Sequence, residues 1–363
     1  MKKKIGGDFE YTDYGDSENG NLLDYLNTKF LFIEYFLSGR SAIYSLIKYL
    51  VEKENIGHIY LPAYLCESIY IGIISAIANS DIKVIFYFQD KNLRSELNEF
   101  LDNSIIFIID YFGTTDDALL NQILNLKAKF LNIVIIKDIT HSLFNCKLYS
   151  IVDYYLGSLR KWFFLPDGAF LASNNKELPK SFNSPDENLP LVKVSSSIIK
   201  KLNSIYDPKI FKEEYYLSIQ EFYEQKLNEF LDSYKPSKIS LNLLNKVDVN
   251  YIIERRKYNR DCLINLIGNF KKITILNFTS VFTLPILLKR KKDRDFLREE
   301  LKKRDIFLPV HWPTDWQKSI DKNLYNYNKK IADHIISLVI DQRYNENDMI
   351  YMAENIKEIL GEI

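Results

Sequence analysis

The sequence is poor in cysteine, and this scarcity excludes two kinds of protein. Its 363 residues include only Cys66, Cys146 and Cys262, which are widely spaced and form no CxxC pair. A sparse, odd set of cysteines predicts reduced thiols in a cytosolic protein and argues against a disulfide framework or a zinc site. We therefore expect a cytoplasmic protein without a metal centre.

An excess of charge and long apolar runs are also absent. Lys and Arg together number 48, as do Asp and Glu, so the formal net charge is zero. A neutral balance gives no sign of a nucleic-acid partner or an anionic membrane surface. No run approaches the roughly 18 apolar residues of a transmembrane helix, and the basic residues after Met1 precede no apolar core of a signal peptide. We expect neither nucleic-acid nor membrane binding.

What the sequence does contain is the composition of a sizeable core. Hydrophobic residues make up 47% and charged residues 26% of the chain, which is typical of a globular protein. Apolar runs at 83–88, 105–109 and 133–136 alternate with helical segments such as 117–130. This alternation predicts a mainly parallel sheet that is buried on both faces.

The length suits one large domain and a smaller one. We predict a large α/β domain over residues 1–235, which begins with a polar arm at 1–28, and a small α+β domain over 236–363. Within the large domain, the sequence from Asn174 to Asn203 is rich in Ser, Asn, Pro and Lys. It predicts a long polar loop, either functional or disordered.

The most informative stretch runs from Asp138 to Phe170. Asp138 ends an apolar strand-like run, and Lys161 lies on a loop farther along. Ligands of open α/β sheets bind at the carboxyl ends of the strands. Pyridoxal phosphate (PLP) chemistry requires a lysine amine for a Schiff base and a carboxylate for the pyridinium nitrogen. Taken alone, the pattern also fits a solvated lysine and an acid that caps a helix.

A second candidate is the turn that includes Gly39, Arg40 and Ser41, just before a helical pattern at 44–51. A small-residue turn that opens a helix presents free backbone N–H groups and the positive end of the helix dipole, which together bind phosphate. The alternative interpretation is an ordinary helix cap by Ser38 or Ser41.

Taken in chain order, the turn at residues 39–41 and the stretch from Asp138 to Phe170 resemble the DegT/DnrJ/EryC1/StrS family of sugar aminotransferases, a branch of the fold-type I PLP-dependent enzymes. Asp138 and His141 match the family's Asp-x-x-Gln/His, Lys161 its Schiff-base lysine, and the stretch 166–169 its glycine-rich turn. The resemblance spans most of the chain. It implies a PLP-dependent transferase fold of type I, with a large α/β domain whose mainly parallel sheet lies between helices, and a smaller C-terminal α+β domain.

The resemblance also implies two catalytic residues and a neighbour. Lys161 would carry the cofactor and move a proton, and Asp138 would keep the pyridine nitrogen protonated. His141 would contact the cofactor near its phenolic oxygen or lie against Asp138; alternatively, it is a core histidine with satisfied hydrogen bonds.

Further cofactor contacts follow from the same resemblance. Arg40, Ser41 and Ser158 would lie at the phosphate, although Arg40 replaces the family's usual threonine and Ser158 is closer to the lysine than in the family. An aromatic residue from the loop after Pro62 would stack on the ring. Tyr64 is the aromatic candidate, whereas strict counting selects Cys66; Tyr64 could equally be a core residue.

Arg160 and His311 would contact the substrate. Arg160 could also lower the pKa of the neighbouring Lys161, or be an ordinary surface charge. The spacing from Asp138 to Lys161 is shorter than in the family, which points to a shortened loop at 145–153 and an atypical substrate.

The function that the resemblance implies is a homodimeric PLP-dependent aminotransferase with active sites shared between subunits. It would transfer an amino group from a donor such as glutamate to a keto sugar, nucleotide-linked, in polysaccharide or glycoconjugate biosynthesis. Two alternatives stay open: another PLP-dependent amine reaction, such as decarboxylation or dehydration, and a non-catalytic binding protein on the same fold. Family dehydratases replace the lysine with histidine, so Lys161 argues against that variant.

Overall fold

The apolar runs predicted as strands form strands in the computed structural model, which describes residues 4–14, 21–95, 97, 99–127, 132–206, 211–277 and 279–361. The strands are β1 (Ile5–Gly6), β2 (Phe32–Phe36), β3 (His58–Pro62), β4 (Lys83–Tyr87), β5 (Ser104–Ile109), β6 (Ile133–Asp138), β7 (Tyr154–Ser158), β8 (Ala169–Ser173), β9 (Ile273–Ile275), β10 (Leu284–Leu288), β11 (Ile306–Phe307) and β12 (Ile335–Leu338).

Helices alternate with these strands in the first half of the chain and surround them. They are α1 (Leu22–Lys29), α2 (Gly39–Lys53), α3 (Glu67–Ala76), α4 (Asp117–Lys127), α5 (Asn188–Ile205), α6 (Glu213–Leu227), α7 (Lys238–Leu244), α8 (Val249–Ile267), α9 (Lys291–Lys303), α10 (Lys322–Ala332) and α11 (Glu346–Gly361). Among the helices of the described residues, none is long and apolar enough to cross a membrane.

Seven strands form the central sheet, in the order β2-β8-β7-β6-β5-β3-β4. From β7 to β4 all neighbours are parallel, and β8 is antiparallel to both β2 and β7. All residues of β5 and β6 are buried, because helices cover both faces of the sheet. The predicted mainly parallel α/β sheet is confirmed, and its register pairs Ile109 with Asp138 at the carboxyl ends of these two strands.

A second unit follows in the C-terminal part of the chain. Strands β12, β10 and β9 form an antiparallel sheet, and α8, α9 and α11 pack on it through a core that includes Leu263, Leu297 and Met352. The N-terminal arm returns to this unit, because Ile5 pairs with Ile306 in a parallel two-stranded sheet. The smaller α+β unit therefore exists, while the boundary between residues 235 and 236 stays a prediction.

One predicted loop contains a helix. Within the polar stretch from Asn174 to Asn203, residues from Asn188 onward belong to α5, so the prediction of a continuous loop is wrong there. Leu189 and Val192 pack against the buried Tyr223 of α6. This apolar contact stabilises helix α5, which the polar composition of the segment did not predict.

Candidate active site

Two cavities meet at Lys161, at the carboxyl ends of the parallel strands. The smaller, of about 180 Å³, lies between the start of α2, the start of α3, the end of β6 and the end of β7. The larger, of about 430 Å³, lies between Lys161, the N-terminal segment 7–9 and the C-terminal unit. Arg160, Lys161 and Glu224 line both cavities. This position is where open α/β sheets bind their ligands.

Lys161 is exposed toward these cavities and ends a short 3-10 helix, Leu159–Lys161. The loop is fixed on both sides of the lysine: the Leu159 N–H donates to the carbonyl of Gly168 at 3.1 Å, and the side chain of Trp162 is completely buried. Within the described residues, the Lys161 ammonium makes no hydrogen bond and no ion pair. Its backbone is therefore held while its amine is available for reaction.

Asp138 is the last residue of β6 and its side chain points into the smaller cavity. It is 7% exposed, and one carboxylate oxygen accepts the backbone N–H of Thr140 at 2.8 Å. No Lys, Arg or His among the described residues pairs with it. Burial raises the pKa of Asp138 to about 6, and nearby Asp110 contributes to the rise. A buried carboxylate without a cation is a site suited to a positively charged nitrogen.

Thr140 links the two loops that carry Asp138 and Lys161, and the sequence did not single it out. Its hydroxyl oxygen accepts the N–H of Ser158 at 3.0 Å, and its carbonyl accepts the indole N–H of Trp162 at 2.6 Å. The Asp-x-Thr spacing was the available signal, since an aspartate oxygen often accepts the N–H two residues later.

Two arginines that line the smaller cavity each have a buried nitrogen without a partner in the described part of the chain. Arg40 donates to the Ser68 hydroxyl at 3.1 Å, and its Nε is buried without a partner. One terminal nitrogen of Arg160 donates to both oxygens of Glu224 at 2.9 Å, while its Nη1 is buried without a partner. The surface-charge interpretation of Arg160 is therefore wrong. Unsatisfied buried donors are costly, so the pair fits an anion such as a cofactor phosphate.

The surroundings shift the pKa values of these two arginines in opposite directions. Burial lowers the pKa of Arg40, and the charge of Arg160 lowers it further. Burial also acts to lower the pKa of Arg160. The charge and hydrogen bond of Glu224, together with Tyr223 and Asp8, nevertheless raise this pKa above its ordinary value. Glu224 lies on α6, 64 residues after Arg160, and no local sequence pattern identifies it as part of a site.

His141 is held by aromatic rings on both sides. Its ring stacks on Phe282 at 4.1 Å between centroids and on Trp312 at 5.2 Å. Its Nδ1 accepts the N–H of Phe112 at 3.4 Å. Burial lowers the pKa of His141 well below its ordinary value, followed by the effects of His311 and Lys161. His141 is thus neutral and borders the smaller cavity, and it makes no hydrogen bond to Asp138.

His311 lines the larger cavity. Its Nδ1 is 2.9 Å from the hydroxyl oxygen of Ser337, and its ring centroid is 5.3 Å from that of His141. Burial lowers the pKa of His311 to about 3, and the charge of Lys161 contributes. The structure thus places His311 beside Lys161 as a second neutral imidazole.

Of the remaining predicted cofactor contacts, Cys66 and Ser158 line the smaller cavity, and Tyr64 and Ser41 do not. Tyr64 is fully buried; its hydroxyl donates to the His311 carbonyl and accepts the Trp312 N–H at 2.7 Å. It thereby positions the segment that carries these two residues. The Ser41 hydroxyl donates to the backbone carbonyl of Asp232. The Ser41 N–H donates at 3.1 Å to the hydroxyl oxygen of Ser38, which caps α2.

No family model and no curated protein matches this sequence. Solved structures do match. The PLP form of Spr1654 from Streptococcus pneumoniae, assigned as a sugar aminotransferase, has a TM-score of 0.63 at 15% identity and covers 98% of this chain and 93% of its own.

Two further solved structures match this chain over almost the full length of both proteins. PseC from Helicobacter pylori, an aminotransferase involved in the biosynthesis of pseudoaminic acid, has a TM-score of 0.62 at 14% identity and covers 99% of this chain and 100% of its own. The sugar aminotransferase CalS13 from Micromonospora echinospora has a TM-score of 0.62 at 11% identity, with 98% of each chain covered. These likenesses establish the fold: the chain has the fold-type I architecture of PLP-dependent aminotransferases.

Proposed function

We propose that this protein is a PLP-dependent aminotransferase that transfers an amino group from a donor such as glutamate to a keto sugar. One observation carries the proposal. Lys161, an amine without a partner among the described residues, and Asp138, a buried carboxylate without a cation, line one cavity at the carboxyl ends of the sheet. The chemistry of PLP needs these two groups together.

The residues of the smaller cavity supply the kinds of groups that PLP binding requires. Asp138 would accept a hydrogen bond from the protonated pyridine nitrogen, which keeps the carboxylate ionised despite its burial. Arg40 and Ser158 would hold the phosphate at the opposite end. Cys66 and the indole of Trp312 would border the ring faces. When bound, the cofactor supplies an electron sink for the carbon that carries the amino group.

The chain's own residues would handle the proton. The Lys161 amine would move a proton from the amino-bearing carbon of the donor to the cofactor carbon in the first half-reaction, and from the cofactor carbon to the sugar carbon in the second. His141 and His311 are neutral because burial lowers the pKa of each. They therefore add no positive charge next to Lys161 while limiting water access around its amine.

The larger cavity suits an anionic substrate, which supports a nucleotide-linked sugar. Seven cationic and four acidic side chains line it. Asp8 pairs with Lys193 at 2.7 Å, and Asp341 with Arg343 at 2.8 Å, so both of these acids are already matched. An excess of cationic groups attracts a phosphorylated substrate. His311 would contact this substrate, whose amination would serve polysaccharide or glycoconjugate biosynthesis in the cytoplasm.

We also propose a homodimer with shared active sites. Helices α5 and α6 carry large apolar side chains that are exposed to solvent. They are Leu191, Ile198, Tyr215, Leu217 and Phe222. Exposed large apolar side chains on two neighbouring helices are typical of a protein interface, and a second copy placed here would lie next to the helix that contributes Glu224 to both cavities.

The test is a titration of the purified protein with PLP, followed by glutamate and a nucleotide-linked keto sugar. We expect a visible absorbance band that is lost in Lys161→Ala and kept in the exposed-site control Lys289→Ala, and formation of 2-oxoglutarate in step with the aminated sugar. A band without amino transfer, but with loss of carbon dioxide or water from the substrate, would favour another PLP-dependent reaction. No band at any PLP concentration would favour a non-catalytic binding protein.

A further inference from the structure

We propose that Arg160, together with Arg40, binds the cofactor phosphate, so that two guanidinium groups hold this anion and Glu224 positions one of them. The inference rests on the proposed function. It assigns Arg160 to the cofactor, whereas the resemblance to the family implied a substrate role.

The first support is the geometry of the unused donors. Nε of Arg40 and Nη1 of Arg160 are both buried nitrogens without partners, and both side chains line the smaller cavity. Buried guanidinium nitrogens normally find acceptors. Because both side chains line one cavity, an anion with several acceptor oxygens placed there would be shared by both guanidinium groups, and a phosphate has this geometry.

The second support is the place where these donors lie. A Cβ added to Gly39, the first residue of α2, would lie 3.6 Å from the Cβ of Ser158, and Ser158 stands two residues before Arg160. The start of α2 therefore adjoins the loop that carries Arg160. Two guanidinium groups and the positive end of a 15-residue helix converge here, and this concentration of positive charge favours a bound anion.

The third support is a chain of alternating charges that fixes Arg160. Asp8 of the N-terminal arm pairs with Lys193 at 2.7 Å, Lys193 approaches Glu224 at 3.5 Å, and Glu224 binds one terminal nitrogen of Arg160 at 2.9 Å. Glu224 occupies that nitrogen, and Nη1 has no partner among the described residues. In this arrangement Glu224 is a positioning residue, and Arg160 is the contact.

The test compares PLP with pyridoxal, which carries the same aldehyde and no phosphate, by equilibrium binding to cofactor-free protein. In Arg160→Met we expect PLP affinity to fall about 10- to 100-fold, as for the loss of a hydrogen bond to a charged group, with pyridoxal affinity unchanged. Arg40→Met should behave alike, and Arg160→Lys should lose less. The exposed, ion-paired Arg290 provides the matched control, and Arg290→Met should keep both affinities.

A phosphorus NMR titration of bound PLP gives a readout that a structural role would not move. Because two cations favour the dianion, the phosphate pKa in the wild-type complex should lie below its ordinary value of about 6, and Arg160→Met should raise it. Equal losses of PLP and pyridoxal affinity, or unchanged PLP affinity with weaker substrate binding, would overturn the inference while the proposed function stands. Wild-type protein that binds no PLP would contradict the proposed function itself.

Discussion

Two buried carboxylates at the ends of neighbouring strands have opposite surroundings. Asp110 follows β5 and pairs with Lys137 at 2.9 Å, with both side chains fully buried, and accepts the hydroxyl of Ser142 at 2.6 Å. Asp138 ends β6 and has no cationic partner among the described residues. Lys137 and Asp138 are consecutive, so their side chains point to opposite faces of the sheet.

The difference separates a structural group from a functional one. Burial raises the pKa of both acids, but Lys137 and hydrogen bonds act against burial at Asp110, whereas at Asp138 only Thr140 does so. A paired buried charge is part of the scaffold. A buried carboxylate without a cationic partner lowers the stability of the folded protein. Proteins often keep such groups at sites where a ligand supplies the missing positive charge.

The largest change in stability should follow from breaking the buried ion pair between Asp110 and Lys137. Asp110→Ala leaves the Lys137 ammonium buried and uncompensated, so we expect a loss of about 3–5 kcal/mol in the free energy of unfolding. Urea unfolding monitored by circular dichroism measures this loss. The exposed Asp81→Ala is the matched control and should change stability little. An equal loss in both variants would remove the distinction on which the comparison depends.

A smaller change in the free energy of unfolding, of opposite sign, should follow from Asp138→Asn. Because its pKa rises from 3.8 to about 6 on folding, the cofactor-free protein loses stability as the pH rises from about 4 to 6, and the loss persists above 6. Asp138→Asn removes this cost, so the variant should be more stable by about 2–3 kcal/mol at pH 8 and by little at pH 4.

The same unfolding measurements at the two pH values check this prediction. Added PLP should reverse the order at pH 8, because only the ionised carboxylate stabilises a protonated pyridine nitrogen. An Asp138→Asn protein that is less stable than wild type at pH 8 without cofactor would show that the carboxylate has a partner after all.

The smallest effect should come from Thr140, which connects the loops of Asp138 and Lys161. Thr140→Val removes the hydroxyl that accepts the Ser158 N–H and keeps the side-chain shape, so we expect a loss of about 1 kcal/mol in unfolding free energy. The exposed Thr274→Val is the control. If Thr140→Val leaves both stability and the PLP affinity unchanged, the two loops are held together by other contacts.

The sequence predicted those parts of the fold and site that local patterns determine. Apolar runs identified β5 and β6, and a strand end followed by a lysine loop identified Asp138 and Lys161 as candidates. Glu224 was beyond such reasoning, because packing of α6 brings it to Arg160 from 64 residues away. The choice between Tyr64 and Cys66 also needed coordinates, since the turn after β3 decides which side chain reaches the cavity.

The most direct test of the account is borohydride reduction of the protein with PLP, followed by peptide mass spectrometry. The account predicts one modified lysine, Lys161, because among the lysines that the structure describes it alone lines the same cavity as the carboxylate of Asp138, which has no cationic partner there. The same reduction in Asp138→Asn should need more PLP for equal labelling. Modification spread over exposed lysines, or stable labelling of another lysine with Lys161 unmodified, would contradict the account.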